Sequence, residues 1–282
     1  MDKVYVPGSG PIGAKLMVLC EGPTYEDTNA RKFFSGGFGR EVGRVLGEAG
    51  VNLNNCWLTG VSKYEVPAGF KGNKIPFPTR AQQAGVDIGQ QLVELQEEIN
   101  NVRPNCILAL GKTALWALSG KKDIGDYRGS IMHGMGRKFV PTYNPMHLSW
   151  QATNVEFTGY WNRQIIVFDA RRALKQATFP EYTVPSRTLE ICKNSAHLAE
   201  FRDRYKSFTR MSVDIEANGT CMPVCIGLAF NKHHGMCVPL WNVQGISNIP
   251  DADMVQMWII LSQMLWEKDI VGQNFNYDRD KI

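Results

Sequence analysis

Short, unbroken apolar runs separated by stretches with helical spacing constrain this chain more than any other feature. Lys15–Cys20 (KLMVLC), Asn55–Val61 (NCWLTGV), Pro104–Gly111 (PNCILALG) and Lys138–Thr142 have strand length. Their apolar residues follow one another instead of alternating with polar ones, the pattern of strands covered on both faces. Between them, Phe38–Gly50 repeats apolar side chains at Phe38, Val42, Val45, Leu46 and Ala49, and Gly50 stands just past the helix end. Val86–Asn101 puts Ile88, Leu92, Leu95 and Ile99 on one helical face, and Lys112–Leu118 and Phe157–Ala173 are further helices. The segment Tyr64–Thr79, with Pro67, Pro76 and Pro78, is expected to be a long irregular loop of the kind used for binding. Strands alternating with helices imply a parallel sheet between two helical layers.

Phe179–Ser186 (FPEYTVPS) breaks this pattern with two prolines and separates a second unit. The spacing places a first domain over 1–175, a linker over 176–190 and a second domain over 191–282. In the second, His197–Phe208 and Asp251–Trp266 have helical spacing. Met211–Ile215, Val224–Phe230, Cys237–Leu240 and Asp269–Gly272 are strand-like.

Composition narrows the class of protein. The 282 residues include 31 basic and 27 acidic ones, a net charge of +4, too little to announce a nucleic-acid partner by itself. The charge is uneven along the chain. Lys112, Lys121, Lys122, Arg128, Arg137 and Lys138 face only Asp123 and Asp126, and Arg163, Arg171, Arg172 and Lys175 form a second basic group. No apolar run approaches the roughly 20 residues of a membrane span, and the opening MDKVYVPGSG lacks the apolar centre of a secretion signal. Seven scattered Cys fit reduced thiols better than a disulfide framework. A cytoplasmic protein with no membrane partner is the expectation.

Asp214 and Glu216 lie two apart on a strand, so both carboxylates share one face. Paired carboxylates repel unless a cation sits between them, and a third acid, Asp278, suits two divalent ions arranged for phosphoryl chemistry. The order is strand with D-x-E, apolar hairpin, helix, strand, then N-x-x-x-D at Asn274 and Asp278. It resembles the ribonuclease-H-like 3′–5′ exonuclease domain of family A DNA polymerases. The resemblance implies Mg²⁺ or Mn²⁺ held by Asp214, Glu216 and Asp278. It also implies an incomplete domain, because the family's third motif has no counterpart before Ile282. His233 and His234 read as turn residues, and Cys221 and Cys225 lack the close spacing of a zinc pair.

Residues 15–170 carry five ordered blocks: MVLCEGPTYED (17–27), RKFFSGGFGREVGRVLGEAGV (31–51), LTGVSKYEVP (58–67), ILALGKTALWAL (107–118) and VPTYNPMHLSW (140–150). These resemble the uracil-DNA glycosylase superfamily, most closely its family-4 branch. The resemblance implies a three-layer α/β/α parallel-sheet domain followed by a partial ribonuclease-H-like exonuclease domain. It implies base extrusion into a pocket, with Phe34 stacking on the base and Glu21 or Glu26 positioning water or stabilising charge on the sugar. Met146, His147 and Leu148 are candidate wedge residues, and the Gly111–Lys112 helix start is a candidate phosphate holder. Lys112, Arg128, Lys138 and His147 are the candidate DNA contacts.

Three positions depart from the family pattern. Its base-reading Asn is Gly60, its catalytic His is Asn144, and Tyr64 occupies the place of an iron–sulfur ligand. No cluster is therefore expected. An Asn-Pro at 144–145 resembles the mismatch-specific branch of the superfamily. Together the two resemblances imply the N-terminal part of a phage-type DNA polymerase, with DNA as partner and the remaining polymerase part joined in cis or in trans. The alternatives are an active glycosylase of altered base specificity, and a structural docking module of a replication complex.

Overall fold

A computed structural model describes residues 3–67, 75–145, 156–184, 186–218, 222–242, 244–247 and 249–272. The chain divides into two compact units, residues 1–182 and 183–282. Among the described residues, no helix is long and apolar enough to cross a membrane.

The first unit is built on β1 (Leu16–Cys20), β2 (Trp57–Gly60), β3 (Cys106–Leu110), β4 (Met132–Gly134) and β5 (Arg137–Thr142). They form one sheet in the order β2-β1-β3-β5-β4, parallel except for the short antiparallel edge strand β4. Successive side chains of the central strands enter opposite cores. Leu16, Val18, Cys20, Cys106, Leu108 and Leu110 join one; Met17, Leu19, Ile107 and Ala109 join the other. Burial on both faces is why β1 and β3 are continuous apolar runs. Helices α2 (Gly37–Glu48) and α7 (Glu156–Gln176) cover the first face. The second is covered by α3 (Phe77–Gln83), α4 (Ile88–Val102), α5 (Gly111–Ser119) and the short α6 (Ile124–Tyr127).

Local chemistry sets the helix ends. Asp87 accepts from the Gln90 amide at the start of α4, and Ala49 closes α2 ahead of Gly50, whose φ of 85° belongs to the left-handed region. The stretch expected to be loop to Thr79 instead begins α3 at Phe77. Pro76 caps it and Pro78 falls in its first turn, where a missing N–H costs nothing. Helix α1 (Tyr25–Ala30) was not anticipated either. Thr24 and Asp27 cap it reciprocally.

The second unit has β6 (Thr188–Ile191), α8 (Ser195–Arg204), β7 (Arg210–Ala217), β8 (Pro223–Ala229), β9 (His234–Pro239), α9 (Asp251–Glu267) and β10 (Asp269–Val271). Its sheet order is β10-β7-β8-β9-β6, with β7, β8 and β9 antiparallel and both edges parallel to their neighbours. The chain is thus a mixed α/β protein. His234 opens β9 rather than belonging to a turn, and β6 joins the sheet with most of its side chains exposed.

Candidate functional site

In the first unit, four of the residues singled out by sequence gather at the carboxyl ends of the strands. Glu21 follows β1, Gly60 ends β2, Gly111 follows β3 and Asn144 lies just past β5. The sheet reverses winding between β1 and β3, and in doubly wound sheets ligands bind at that crossing point. A cavity of about 440 Å³ opens there, within the range usual for small-ligand sites. Glu21, Gly111, Lys112 and Asn144 line it, together with Arg80, Thr113 and Trp116, which the sequence did not single out.

Both carboxylate oxygens of Glu21 are bonded within the wall. Arg80 Nη2 donates to its Oε1 at 2.7 Å, and Thr113 Oγ donates to Oε2. Arg80 is 6% exposed, so the pair is a largely desolvated one. Asn144 borders Gly111, where a side chain would meet Asn144 Cβ at 3.1 Å; the φ of 86° there also requires glycine.

Gly60 is closed on three sides. A Cβ at this position would lie 2.8 Å from Phe33 Cε1, 2.8 Å from the Ser62 carbonyl and 2.9 Å from Gly22 Cα. Two of those neighbours are backbone. The local chain is also pinned from below. The buried Lys63 ammonium donates to the Gly60 carbonyl at 3.0 Å, to Thr59 Oγ and to Glu98 at 2.6 Å. Glu98 in turn accepts from Trp57 Nε1 at 2.7 Å. Such a satisfied buried network is rigid.

Glu26 and Phe34 lie outside the cavity wall. Glu26 accepts from the Gly37 amide at 2.7 Å and so secures the start of α2. Half-buried Phe34, with a φ of 58°, packs its ring 5.7 Å from that of Phe38 and 6.3 Å from that of Phe33.

The basic residues separate into two kinds. Lys112 and Lys122 are exposed at the cavity. Lys138, expected to contact DNA, is instead buried at 1% exposure. Its ammonium donates to the Glu181 carbonyl at 3.0 Å and lies 3.5 Å from the Phe179 ring centroid. Burial holds its pKa below the ordinary lysine value. Arg128, also an expected DNA contact, makes two hydrogen bonds to the buried Asp169, at 2.7 and 3.0 Å. That pairing raises its pKa. Arg163 is tied to Glu41 and Glu48. His147 and the neighbouring wedge candidates lie outside the described residues.

In the second unit, Asp214 and Glu216 project from the same, exposed face of β7. Asn274 and Asp278 lie outside the described residues. Among the described residues, no group of three or more His, Cys, Asp and Glu side chains could hold a metal ion.

Taken with its sheet order, the first unit is a doubly wound α/β domain with its ligand cavity at the winding reversal. Residues 7–166 match the uracil DNA glycosylase superfamily, and the chain belongs to that superfamily. It is similar to the type-4 uracil-DNA glycosylase of Thermotoga maritima, 28% identical over 152 residues, which is 53% of this chain and 73% of that protein. It is also similar to the type-4 enzyme of Archaeoglobus fulgidus, 27% identical over 110 residues, 39% of this chain and 50% of that protein. A DNA polymerase of Bacillus phage SP01 is 25% identical over 139 residues, 49% of this chain but only 14% of the polymerase.

Proposed function

We propose that the first unit is a DNA-binding, glycosylase-like module that holds DNA without excising uracil, in the N-terminal part of a phage-type replicative polymerase. The observation that carries this reading is the closure of Gly60. The family reads uracil from this position through an amide, and here neither an amide nor the room for one is present. A site that loses a base-edge hydrogen bond loses most of its discrimination. The engagement of Glu21 by Arg80 and Thr113 supports the same reading. The likeness to the phage polymerase supports placing the module in a replication enzyme. In this reading the second unit is the beginning of a proofreading exonuclease, with Asp214 and Glu216 as two of its metal-binding carboxylates.

The test is a titration of the full chain with fluorescent duplex and single-stranded DNA at low salt, repeated as salt rises. Binding that weakens steeply with salt supports the reading. Absence of binding at low salt refutes it. Adding Mg²⁺ or Mn²⁺ to the same samples tests the second unit, where strand degradation lost on Asp214→Asn assigns the exonuclease role.

A second reading has its own observation: Glu21 and Asn144 line one cavity. On it, the module excises a base other than uracil. Release from a panel of modified-base oligonucleotides, lost on Glu21→Ala, would establish this.

A further inference from the structure

We propose that Cys225 and Cys237, on the face of the second unit's sheet opposite its core, are a redox-active dithiol that closes to a disulfide by exchange with a low-molecular-weight disulfide such as oxidised glutathione. The pair is independent of the DNA-binding reading of the first unit.

Among the described residues, one face of that sheet carries the core. Val213 of β7, Ile226 and Leu228 of β8, and Met236 and Val238 of β9 enter the apolar cluster that α8 and α9 complete. Strand side chains alternate, so Cys225 and Cys237 stand on the other face, with Asp214 and Glu216 of β7. Among the described cysteines, Cys20, Cys56, Cys106 and Cys192 are buried, and Cys225 and Cys237 alone are part exposed.

Register brings the two together. Cys225 pairs with Pro239 and Cys237 with Gly227, so the cysteines occupy the ends of one cross-strand diagonal. Leu240 N donates to the Val224 carbonyl at 2.9 Å. By alternation both cysteines fall at non-hydrogen-bonded positions, where facing side chains stand closer. Strand twist shortens one of the two diagonals, and on this one the thiols meet, hydrogen-bonded to each other. Gly227 puts no side chain beside them. Cys192 is a backbone neighbour of Cys237, its amide donating to the Cys237 carbonyl at 2.8 Å. Its thiol, however, lies in the core and donates to the Asn194 carbonyl at 3.3 Å.

The exchange needs two protein thiols and one disulfide. One protein thiolate attacks a sulfur of oxidised glutathione, forming a mixed disulfide and expelling one glutathione thiolate. The second attacks the protein sulfur of that mixed disulfide, forming the Cys225–Cys237 bond and expelling the other glutathione. The protein gives up two electrons and two protons, and oxidised glutathione takes them up as two thiols. A second thiol already in contact makes the closing step intramolecular and favours it over a lasting adduct.

The test incubates the full native chain with oxidised glutathione for hours, since burial pushes the Cys225 thiol up to about 11 and slows exchange. The reaction is stopped in acid denaturant, remaining thiols are blocked with N-ethylmaleimide, and the chain is digested with trypsin. The expected product has two thiols fewer than the seven of the parent, and a reducible link joining tryptic peptides 211–232 and 233–268. Cys221 shares the first of these peptides, so Cys221→Ser must keep the link. Cys225→Ser and Cys237→Ser must each abolish it and leave a glutathione adduct on the cysteine that remains. Both positions are part exposed, so these variants are expected to melt near the parent's temperature. A native chain that keeps all seven thiols overturns the proposal. So does one that carries separate glutathione adducts on Cys225 and Cys237, or links either of them to Cys192 or Cys221.

Discussion

The edge of the Phe33 ring stands 2.8 Å from where the first side-chain carbon of any residue other than glycine would sit at position 60. Phe33 itself is 1% exposed and anchored in the core between the sheet and α2, so it has nowhere to retreat. The position from which relatives are expected to read a base is therefore filled from the interior.

Restoring the missing amide should fail. Gly60→Asn is expected to destabilise the chain by about 1–3 kcal/mol, as overpacking does, and to release no uracil. Shrinking the ring as well, in Phe33→Ala with Gly60→Asn, does not relieve the contacts with the Ser62 carbonyl and Gly22 Cα. Thermal melting together with an excision assay checks both variants. Uracil release by Gly60→Asn alone would contradict the steric argument.

The Arg80–Glu21 pair should behave as a coupled unit. Arg80→Met leaves a half-buried carboxylate unbalanced and is expected to cost about 2 kcal/mol, less than a fully buried break because Glu21 is partly exposed. Arg80→Met with Glu21→Gln should recover part of that loss. A double-mutant cycle from urea denaturation measures the coupling. Strict additivity would show that the two do not interact.

Lysines alike in sequence should differ in DNA binding. Lys112→Gln is expected to lower affinity and to reduce the slope of log K against log salt by about one, the signature of one lost phosphate contact. Lys138→Met should leave both unchanged, because its ammonium is bound to the Glu181 carbonyl beneath Phe179. Arg128→Gln should likewise spare DNA binding. It should still destabilise the fold by about 3 kcal/mol by stranding buried Asp169, which among the described residues keeps Thr142 as its remaining side-chain partner.

In the second unit, one carboxylate organises an edge. Glu190 on β6 accepts from Arg204 at 2.7 Å and meets His197 at 2.8 Å, and His234 reaches the same group. Chiefly through Arg204 and His197, its pKa is lowered from 4.5 to about 2. A carboxyl depressed in the folded state contributes stability above its unfolded pKa. That stability drains away as pH falls from about 4.5 to about 2. Glu190→Gln should lower the melting temperature at pH 7 and flatten the acid decline in that window. An unaltered acid limb would show that the group does not matter.

Much of this architecture was legible because two-sided burial leaves its mark in the sequence. LMVLC and CILAL are apolar throughout, and the helices between them keep their spacing. The helix α3 was hidden because prolines at 76 and 78 look like loop residues until they fall at a helix start. Strand β6 escaped because Leu189 and Ile191 are exposed, which leaves no alternation to detect. The burial of Lys138 and the pairing of Arg128 are not legible in the sequence for one reason. Charge is visible in a sequence, but the partner that removes it from solvent is not, since Glu181 and Asp169 lie 43 and 41 residues away. Arg80 was missed on the same grounds, 59 residues from Glu21.

The most direct measurement is single-turnover excision on a uracil-containing oligonucleotide with the full chain in excess, while binding is followed in the same sample. The account predicts a bound substrate from which no uracil is released over hours, with Glu21→Ala no different. Release of uracil by the parent chain, abolished by Glu21→Ala, would contradict it.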